Sequence, residues 1–198
     1  EIINNIIFNK KTKKRIFSLK ESDIIGHHNL LNIMFVCVCA NLYGVSDDFI
    51  IEGLKEFKPL EHRLEFIKSF NKVNYYNDSK STNIASTIKA LESFNENVIL
   101  VLGGTNKGFD FRELIPNLES VDKIYSYGES GKDIHDQLNE SVDVEYIDNF
   151  KECIISVINS TKKDKNILLS PACASFDQFR DYEERGNFFK EIVLRYAC

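Results

Sequence analysis

Hydrophobic and polar positions follow two different patterns along this chain. Over residues 29–43 apolar side chains recur at spacings of three and four, which predicts a helix with a buried apolar face that ends at Gly44. The apolar positions are Leu30, Leu31, Met34, Phe35, Val38 and Leu42. Acidic residues open a second predicted helix over 47–57 and suit the positive end of a helix. The first twenty residues mix lysines with short apolar runs, which favours a solvated hairpin or edge strand over a binding patch.

After Pro59 short β-branched and aromatic runs alternate with helical stretches. The pattern predicts strands over 73–76, 98–102, 123–127, 142–147 and 166–169, and helices near 84–94, 111–118, 132–138, 150–160 and 176–196. Such alternation is typical of an α/β fold with a doubly wound, mostly parallel sheet flanked by helices. We therefore predict two parts, residues 1–58 and a complete α/β domain over 59–198.

Composition narrows the function classes. Hydrophobic residues make up 43% and charged residues 28% of the 198 positions, a mixture typical of a soluble globular protein. The net charge of −5 argues against a nucleic-acid or anionic-membrane binder. The chain begins at Glu1 and shows no signal-peptide or transit-peptide pattern, so we expect it to be part of a longer protein.

Cysteine and histidine usage predicts neither a disulfide framework nor a metal site. The five cysteines are an odd number and form no CxxC pair, and the four histidines lack metal-ligand spacing. A reducing cytoplasm is the simplest location for such a chain. We expect a monomer whose partners are small molecules.

A polar loop follows the first predicted strand after Pro59. Residues 77–83, NDSKSTN, contain an acid, an ammonium group, hydroxyls and amides, and lead into a helix. A helix N-cap requires only one such residue. Because ligands of parallel sheets bind beyond the carboxyl ends of the strands, we predict functional roles for Asp78 and Lys80.

Two further loops follow apolar strands. Residues 103–108, GGTNKG, match neither a P-loop nor a dinucleotide-binding fingerprint, but place Lys107 as a point charge for a carboxylate or phosphate. In residues 170–175, SPACAS, small side chains would let a ligand approach, and the N-terminus of the following helix would favour an anion near Ser175. A nucleophilic Cys173 is disfavoured, since a small buried thiol is much commoner.

Several strings together carry a family resemblance. They are GHHN at 26–29 with Asn32, His62-Arg63 with Glu65, NDSKSTN at 77–83, LGGTNKGFDF at 102–111 and LLSPACASFDQFRDYEERGNFF at 168–189. This set resembles the C-terminal part of the Mur ligases that add D-glutamate to UDP-N-acetylmuramoyl-L-alanine in peptidoglycan biosynthesis. The resemblance implies a C-terminal Rossmann-like ligase domain, preceded in residues 1–58 by the tail of a central ATP-binding domain.

The resemblance also implies a reaction and its cofactors. ATP, with Mg²⁺, would convert the carboxylate of UDP-N-acetylmuramoyl-L-alanine into an acyl phosphate, and the amine of D-glutamate would attack it. Developing charge in such a reaction must be met by metal ions and fixed cations. No GxxxxGK[ST] sequence occurs in the chain, so we expect most Mg²⁺ ligands to lie elsewhere and this fragment to be inactive alone.

Matched residue by residue, the resemblance assigns roles to individual side chains. The adenine-contacting amides would be Asn29 and Asn32, the phosphate-facing arginine Arg63, and the ribose-binding acid Asp78; Lys80 would face phosphate or substrate. The catalytic residues would be Arg63 and Lys80, and the D-glutamate pocket would use Thr82, Lys107, Ser175 and a backbone amide near Phe176. Tyr182 stands beside this pocket where the family often has Phe, so its hydroxyl needs a partner. Thr105 and Asn106 also depart from the usual loop sequence.

Three alternatives remain open from the sequence. The chain could belong to a sister Mur ligase or an enzyme similar to folylpolyglutamate synthetases, which share the fold but usually differ at 77–83. It could be a non-catalytic Rossmann-like module that binds a nucleotide or an acidic metabolite. It could also be a structural or interaction domain whose loops are merely polar.

Overall fold

The computed structural model describes residues 1–18, 28–58 and 60–197, with only the backbone of His28. Gly26, His27 and Pro59, which carry part of the sequence argument, lie outside the described residues. By its contacts the chain divides into two compact units, residues 1–59 and 60–198.

The first unit combines a small sheet with two helices. Strands β1 (Ile2–Ile3), β2 (Ile6–Phe8) and β3 (Arg15–Ser18) pair antiparallel in chain order, which confirms the predicted hairpin. Helices α1 (His28–Leu42) and α2 (Asp47–Glu56) follow. The core of the unit contains Ile7, Ile16, Phe17, Leu30, Ile33, Cys37 and Ile50.

Helix α1 buries a different face from the one predicted. Leu30 is buried, but Leu31, Phe35, Val38 and Leu42 are all more than half exposed. Leu30, Ile33 and Cys37 repeat at the same spacings of three and four, and this second stripe packs on the sheet. A helix that is apolar on most sides does not reveal which stripe is buried, so the predicted burial was wrong for four positions.

The second unit contains a six-stranded sheet in the order β4-β5-β9-β6-β7-β8. Its strands are β4 (Glu65–Phe70), β5 (Val73–Asn77), β6 (Val98–Gly103), β7 (Val121–Tyr127), β8 (Asp143–Tyr146) and β9 (Lys165–Ala172). Its α-helices are α3 (Ile84–Leu91), α4 (Gly131–Leu138), α5 (Phe150–Ser160) and α6 (Tyr182–Tyr196). All neighbouring pairs are parallel except β4 with β5, which confirms the predicted mostly parallel α/β sheet.

The apolar strand β6 lies between β9 and β7, and every one of its residues is buried. This position explains why its sequence is apolar at successive residues, because helices cover both faces of a central parallel strand. Since β5, β9 and β6 are adjacent and parallel, the loops that follow them emerge side by side at one edge of the sheet.

Strand β4 was not predicted. It is an antiparallel edge strand joined to β5 by a two-residue turn, Asn71-Lys72, in which both residues have positive φ angles of 50° and 63°. These angles fit a type I′ hairpin turn, which usually shows Asn-Gly in the sequence. Lysine in place of glycine hides that signal, and no residue of β4 is fully buried: four are half-buried and two are exposed.

Two predicted helices differ from the structure. The segment Phe111–Asn117 is a 3-10 helix with Pro116 inside it, and proline disfavours a regular α-helix because it lacks an N–H and its ring clashes with the preceding turn. Helix α6 begins at Tyr182 instead of Phe176, and Asp181 caps it by accepting a hydrogen bond from the Glu184 amide at 2.7 Å. The expectation of a helix N-terminus at Ser175 was therefore wrong. None of the helices in the described ranges is long and apolar enough to span a bilayer.

Candidate functional site

The loops after β5, β6 and β9 are joined to one another at the carboxyl edge of the sheet. The Thr105 amide donates to the Ala174 carbonyl at 2.9 Å, and the Ala174 amide donates back to Thr105 at 3.1 Å. The Ser79 hydroxyl donates at 2.8 Å to the carbonyl of Tyr182, the first residue of α6, and the Ser170 hydroxyl at the end of β9 donates to Asp78 at 2.7 Å. All three loops identified in the sequence therefore meet in one region.

Asp78 organises the loop after β5. Its Oδ2 accepts hydrogen bonds from the hydroxyls of Ser81 at 2.5 Å and Ser170 at 2.7 Å, and its Oδ1 accepts from the Leu64 amide at 3.1 Å. The residue is only 5% exposed, and burial raises the pKa of its carboxyl to about 6 despite these hydrogen bonds. Asp78 thus holds Leu64, the neighbour of Arg63, against the loop that carries Lys80.

Lys80 and Tyr182 lie side by side. The Lys80 ammonium donates to the Tyr182 hydroxyl at 3.2 Å and lies 5.0 Å from the centre of its ring. The same hydroxyl donates to Glu183 at 3.0 Å. The departure at Tyr182 is therefore accommodated, because its hydroxyl has both a donor and an acceptor.

His62 anchors the segment that leads to Arg63. It is 5% exposed and has a positive φ of 63°, and its Nδ1 accepts a hydrogen bond from Asn77 Nδ2 at 2.9 Å. Burial lowers the pKa of the ring. Gly186 packs against it, since a Cβ there would lie 2.2 Å from His62 Nδ1. Arg63 itself is exposed at the surface of the unit.

The residues predicted for the D-glutamate pocket differ in exposure. Ser175 is buried, Thr82 is half-buried, and Lys107 and Phe176 are exposed. Asn106 closes the loop that carries Lys107, because its side chain both donates to the Phe109 carbonyl and accepts from the Phe109 amide at 2.9 Å. Asn106, which differs from the usual residue of the family at this position, therefore has a structural role in the loop.

Cys173 is fully buried, with its Sγ 3.3 Å from the Ser130 hydroxyl. Burial raises the pKa of the thiol to about 11, so little thiolate forms at neutral pH. This agrees with the expectation that Cys173 is a packed residue.

A family model described as "Mur ligase, glutamate ligase domain" matches residues 62–173, which include the loops after β5 and β6. The chain belongs to the Mur ligase family. It is similar to proteins named UDP-N-acetylmuramoylalanine--D-glutamate ligase, with 39% identity over 176 residues in Bacillus cereus (strain G9842) and 38% over 185 residues in Thermoanaerobacter sp. (strain X514). These alignments cover 87% and 91% of this chain but 39% and 41% of the relatives, so the chain spans about two fifths of their length.

Solved structures of two ligases share the fold. A pseudomurein peptide ligase type C from Methanothermus fervidus superimposes with a TM-score of 0.68 at 16% identity, covering 98% of this chain and 41% of that one. The UDP-N-acetylmuramate-alanine ligase of Thermotoga maritima gives 0.63 at 16% identity, covering 87% and 39%. At such identity these matches establish the Rossmann-like fold alone.

The predicted adenine contacts of this Mur ligase chain lie in its first unit. Asn29 and Asn32 are on α1, and Asn32 Nδ2 donates to Asn29 Oδ1 at 3.3 Å. The other predicted site residues are in the unit of residues 60–198.

Sequence reasoning missed Arg185. Its side chain is fully buried and hydrogen-bonds Ser79 of the loop after β5 and Cys173 of the β9 loop. A signal for it is present in the sequence, because Arg185, Phe189 and Ile192 share the spacing of the buried face of α6. A cation on an apolar helical stripe indicates a buried polar network.

Proposed function

We propose that this chain is part of an ATP-dependent ligase that adds D-glutamate to UDP-N-acetylmuramoyl-L-alanine in peptidoglycan synthesis. Residues 59–198 would be its C-terminal ligase domain, and residues 1–58 the tail of its central ATP-binding domain. The names of the similar proteins and the matching family model support this proposal. The proposal also includes a monomeric state, a cytoplasmic location, and roles in cell shape and cell division.

The observation that carries the proposal is the meeting of three loops at the carboxyl edge of β5, β9 and β6. D-glutamate has two carboxylates, and its recognition requires cations and hydrogen-bond donors from more than one direction. Lys80 and Thr82 come from the loop after β5, Lys107 from the loop after β6, and Ser175 and the Phe176 amide from the loop after β9. Together these loops supply two ammonium groups and two hydroxyls.

Arg63 and Lys80 would act on the reacting groups. A carboxylate is a poor electrophile at neutral pH, so amide formation needs an activated carboxyl group and stabilisation of the charge that develops on it. Arg63 follows the anchored His62, and Lys80 is held beside Tyr182. A cation already held in place, as Lys80 is, favours the transition state because it needs no reorganisation during the reaction.

ATP would be held by Asn29, Asn32, Arg63 and Asp78. The paired amides of α1 offer both donors and acceptors, which suits an adenine edge. The Asp78 carboxylate already accepts three hydrogen bonds, so a ribose hydroxyl would use the remaining acceptor capacity of Oδ1. When bound, ATP supplies the phosphoryl group that activates the substrate carboxylate. Within the described residues there is no cluster of three or more His, Cys, Asp or Glu suited to a metal, and we assign no Mg²⁺ ligand to them.

The test uses the gene product that contains this chain. We expect ADP and phosphate to form only when both UDP-N-acetylmuramoyl-L-alanine and D-glutamate are present. Equal activity with L-lysine or meso-diaminopimelate would indicate a sister ligase, and nucleotide binding without turnover would indicate the non-catalytic module.

A substitution tests the glutamate pocket separately. Lys107→Ala should raise the KM for D-glutamate by about tenfold or more, because it removes a charge-assisted hydrogen bond, and should leave the KM for ATP nearly unchanged. Lys151→Ala, at an exposed position of α5, is the matched control and should change neither. A larger effect on ATP than on D-glutamate would refute the role of Lys107.

A further inference from the structure

Arg185 is a fully buried cation in the second unit. It projects from the first turns of α6 and is among the largest side chains that are completely removed from solvent. Burying an arginine is costly unless its donors are satisfied, so its contacts identify what the buried charge is used for.

Its contacts connect several chain segments. Nε donates to the Ser79 hydroxyl at 2.9 Å and Nη2 to the Ser79 carbonyl at 2.7 Å, so both bonds hold the loop after β5. Nη1 donates to the Cys173 carbonyl at 3.1 Å, in the loop after β9, and to the Tyr127 hydroxyl at 3.3 Å, in strand β7. A Cβ on Gly104 would lie 3.2 Å from Nη1, so the loop after β6 also packs against the guanidinium.

All these acceptors are neutral. Within the described part of the chain, Arg185 forms no ion pair with a carboxylate, and its partners are carbonyl and hydroxyl oxygens. A carboxylate partner would explain the buried charge as a simple ion pair. Neutral acceptors on different loops instead use the planar fork of arginine, which presents its donors in fixed directions that lysine cannot reproduce.

We propose that Arg185 is a positioning residue that holds the loops after β5 and β9 in the relative arrangement needed for Lys80, Thr82 and Ser175 to face one ligand. Ser79 is its main partner, because the Ser79 hydroxyl accepts from Arg185 and donates onward to the Tyr182 carbonyl. The identity of that ligand as D-glutamate rests on the proposed function, whereas the coupling of the loops does not.

Hydrogen exchange of the 198-residue chain, followed by NMR, tests the coupling without any ligand. In Arg185→Lys we expect the amides of Ser81, Thr105 and Ala174 to exchange about tenfold faster or more, since each closes a hydrogen bond within the coupled loops. Amides of the central strand β6 should stay within about twofold of the original protein. Arg180→Lys, at an exposed position of the same segment, is the control and should change none of them.

A second variant tests the same coupling in case Arg185→Lys does not fold. Ser79→Ala removes one acceptor of Arg185 and the link to Tyr182 while it leaves the Cys173 bond intact. We expect faster exchange at Ser81 but unchanged exchange at Thr105 and Ala174. The proposal is overturned if loop and β6 amides are accelerated equally, or if neither variant alters loop exchange, because Arg185 would then be a packing residue only.

The ligase assay adds a functional measurement. Arg185→Lys should raise the KM for D-glutamate by about tenfold, since lysine keeps the charge but loses the fork. The KM for ATP should change by less than about twofold, because Asp78 keeps its own hydrogen bonds to Leu64, Ser81 and Ser170. If Arg185→Lys keeps the original KM for D-glutamate, the planar shape of the guanidinium is not needed and the positioning role is refuted. Changed loop exchange in a protein without any D-glutamate-dependent activity would refute the proposed function and leave the coupling intact.

Discussion

The buried carboxyl of Asp78 should make the stability of this protein fall as the pH rises from about 4 to about 6. Two effects oppose each other at this group. Three hydrogen bonds favour the ionised form, and removal from solvent disfavours it. Burial dominates, so the folded protein holds its proton at a pH where the unfolded chain has lost it.

The magnitude follows from the two pKa values. A pKa of about 6 in the folded protein against an ordinary value of 3.8 corresponds to about 3 kcal/mol, at ~1.4 kcal/mol per pH unit. Because the folded pKa is raised, this contribution to the free energy of unfolding is fully present below about pH 4 and is lost as the pH passes about 6.

Asp78→Asn isolates the effect. Asparagine can accept from the Leu64 amide through its oxygen and donate to the hydroxyls of Ser81 and Ser170, which can rotate to accept. The variant therefore keeps three hydrogen bonds and removes the ionisation. Urea unfolding between about pH 4 and pH 7 should show its stability relative to the original protein rising by about 3 kcal/mol.

Asp133→Asn, which removes an exposed carboxylate on α4, is the control for the change in net charge. A pH-independent difference between Asp78→Asn and the original protein would refute the reasoning. So would a difference of opposite sign, because the hydrogen bonds would then outweigh the burial of the carboxyl.

Other substitutions and a labelling experiment examine the surrounding contacts. Gly186→Ala should lower the free energy of unfolding by about 1–3 kcal/mol in urea titration, because the new methyl group overlaps the buried His62 ring; an unchanged midpoint would contradict this packing. Tyr182→Phe should change the same free energy by less than about 1 kcal/mol, since its hydrogen bond to Lys80 is only partly buried, and a larger loss would show a deeper role for the hydroxyl. Cys173 should resist alkylation at neutral pH in the folded protein and react on unfolding, as followed by peptide mass spectrometry; rapid labelling of the folded chain would contradict its burial and raised pKa.

Much of the fold was predictable because local pattern and tertiary structure agree. Apolar runs such as those of β6 and β9 suit burial between helices, and the five strands predicted over 59–198 all occur in the structure. The predictions of secondary structure were wrong where the local sequence signal was weak. The β4–β5 turn uses Asn71-Lys72, and α6 begins at the Asp181 cap, six residues after the predicted start at Phe176.

The candidate site was partly predictable for a similar reason. Asp78, Lys80, Lys107 and Ser175 stand in loops that directly follow strands, and a parallel sheet brings such loops to one edge. How close each residue stands to the end of a strand can be read from neighbouring residues in the sequence. Arg185 was missed, because its role depends on acceptors that are 106 positions away at Ser79 and 12 away at Cys173.

The amino-acid sequence by itself determined the alternation of strands and helices, the family resemblance and the loops that carry the chemistry, because these depend on neighbouring residues. Tertiary structure alone decided which stripe of α1 is buried, where the Arg185 guanidinium donates, and that Asp78 is enclosed enough to raise the pKa of its carboxyl. These properties depend on the dielectric environment and on partners distant in the chain, which become defined only when the elements pack together.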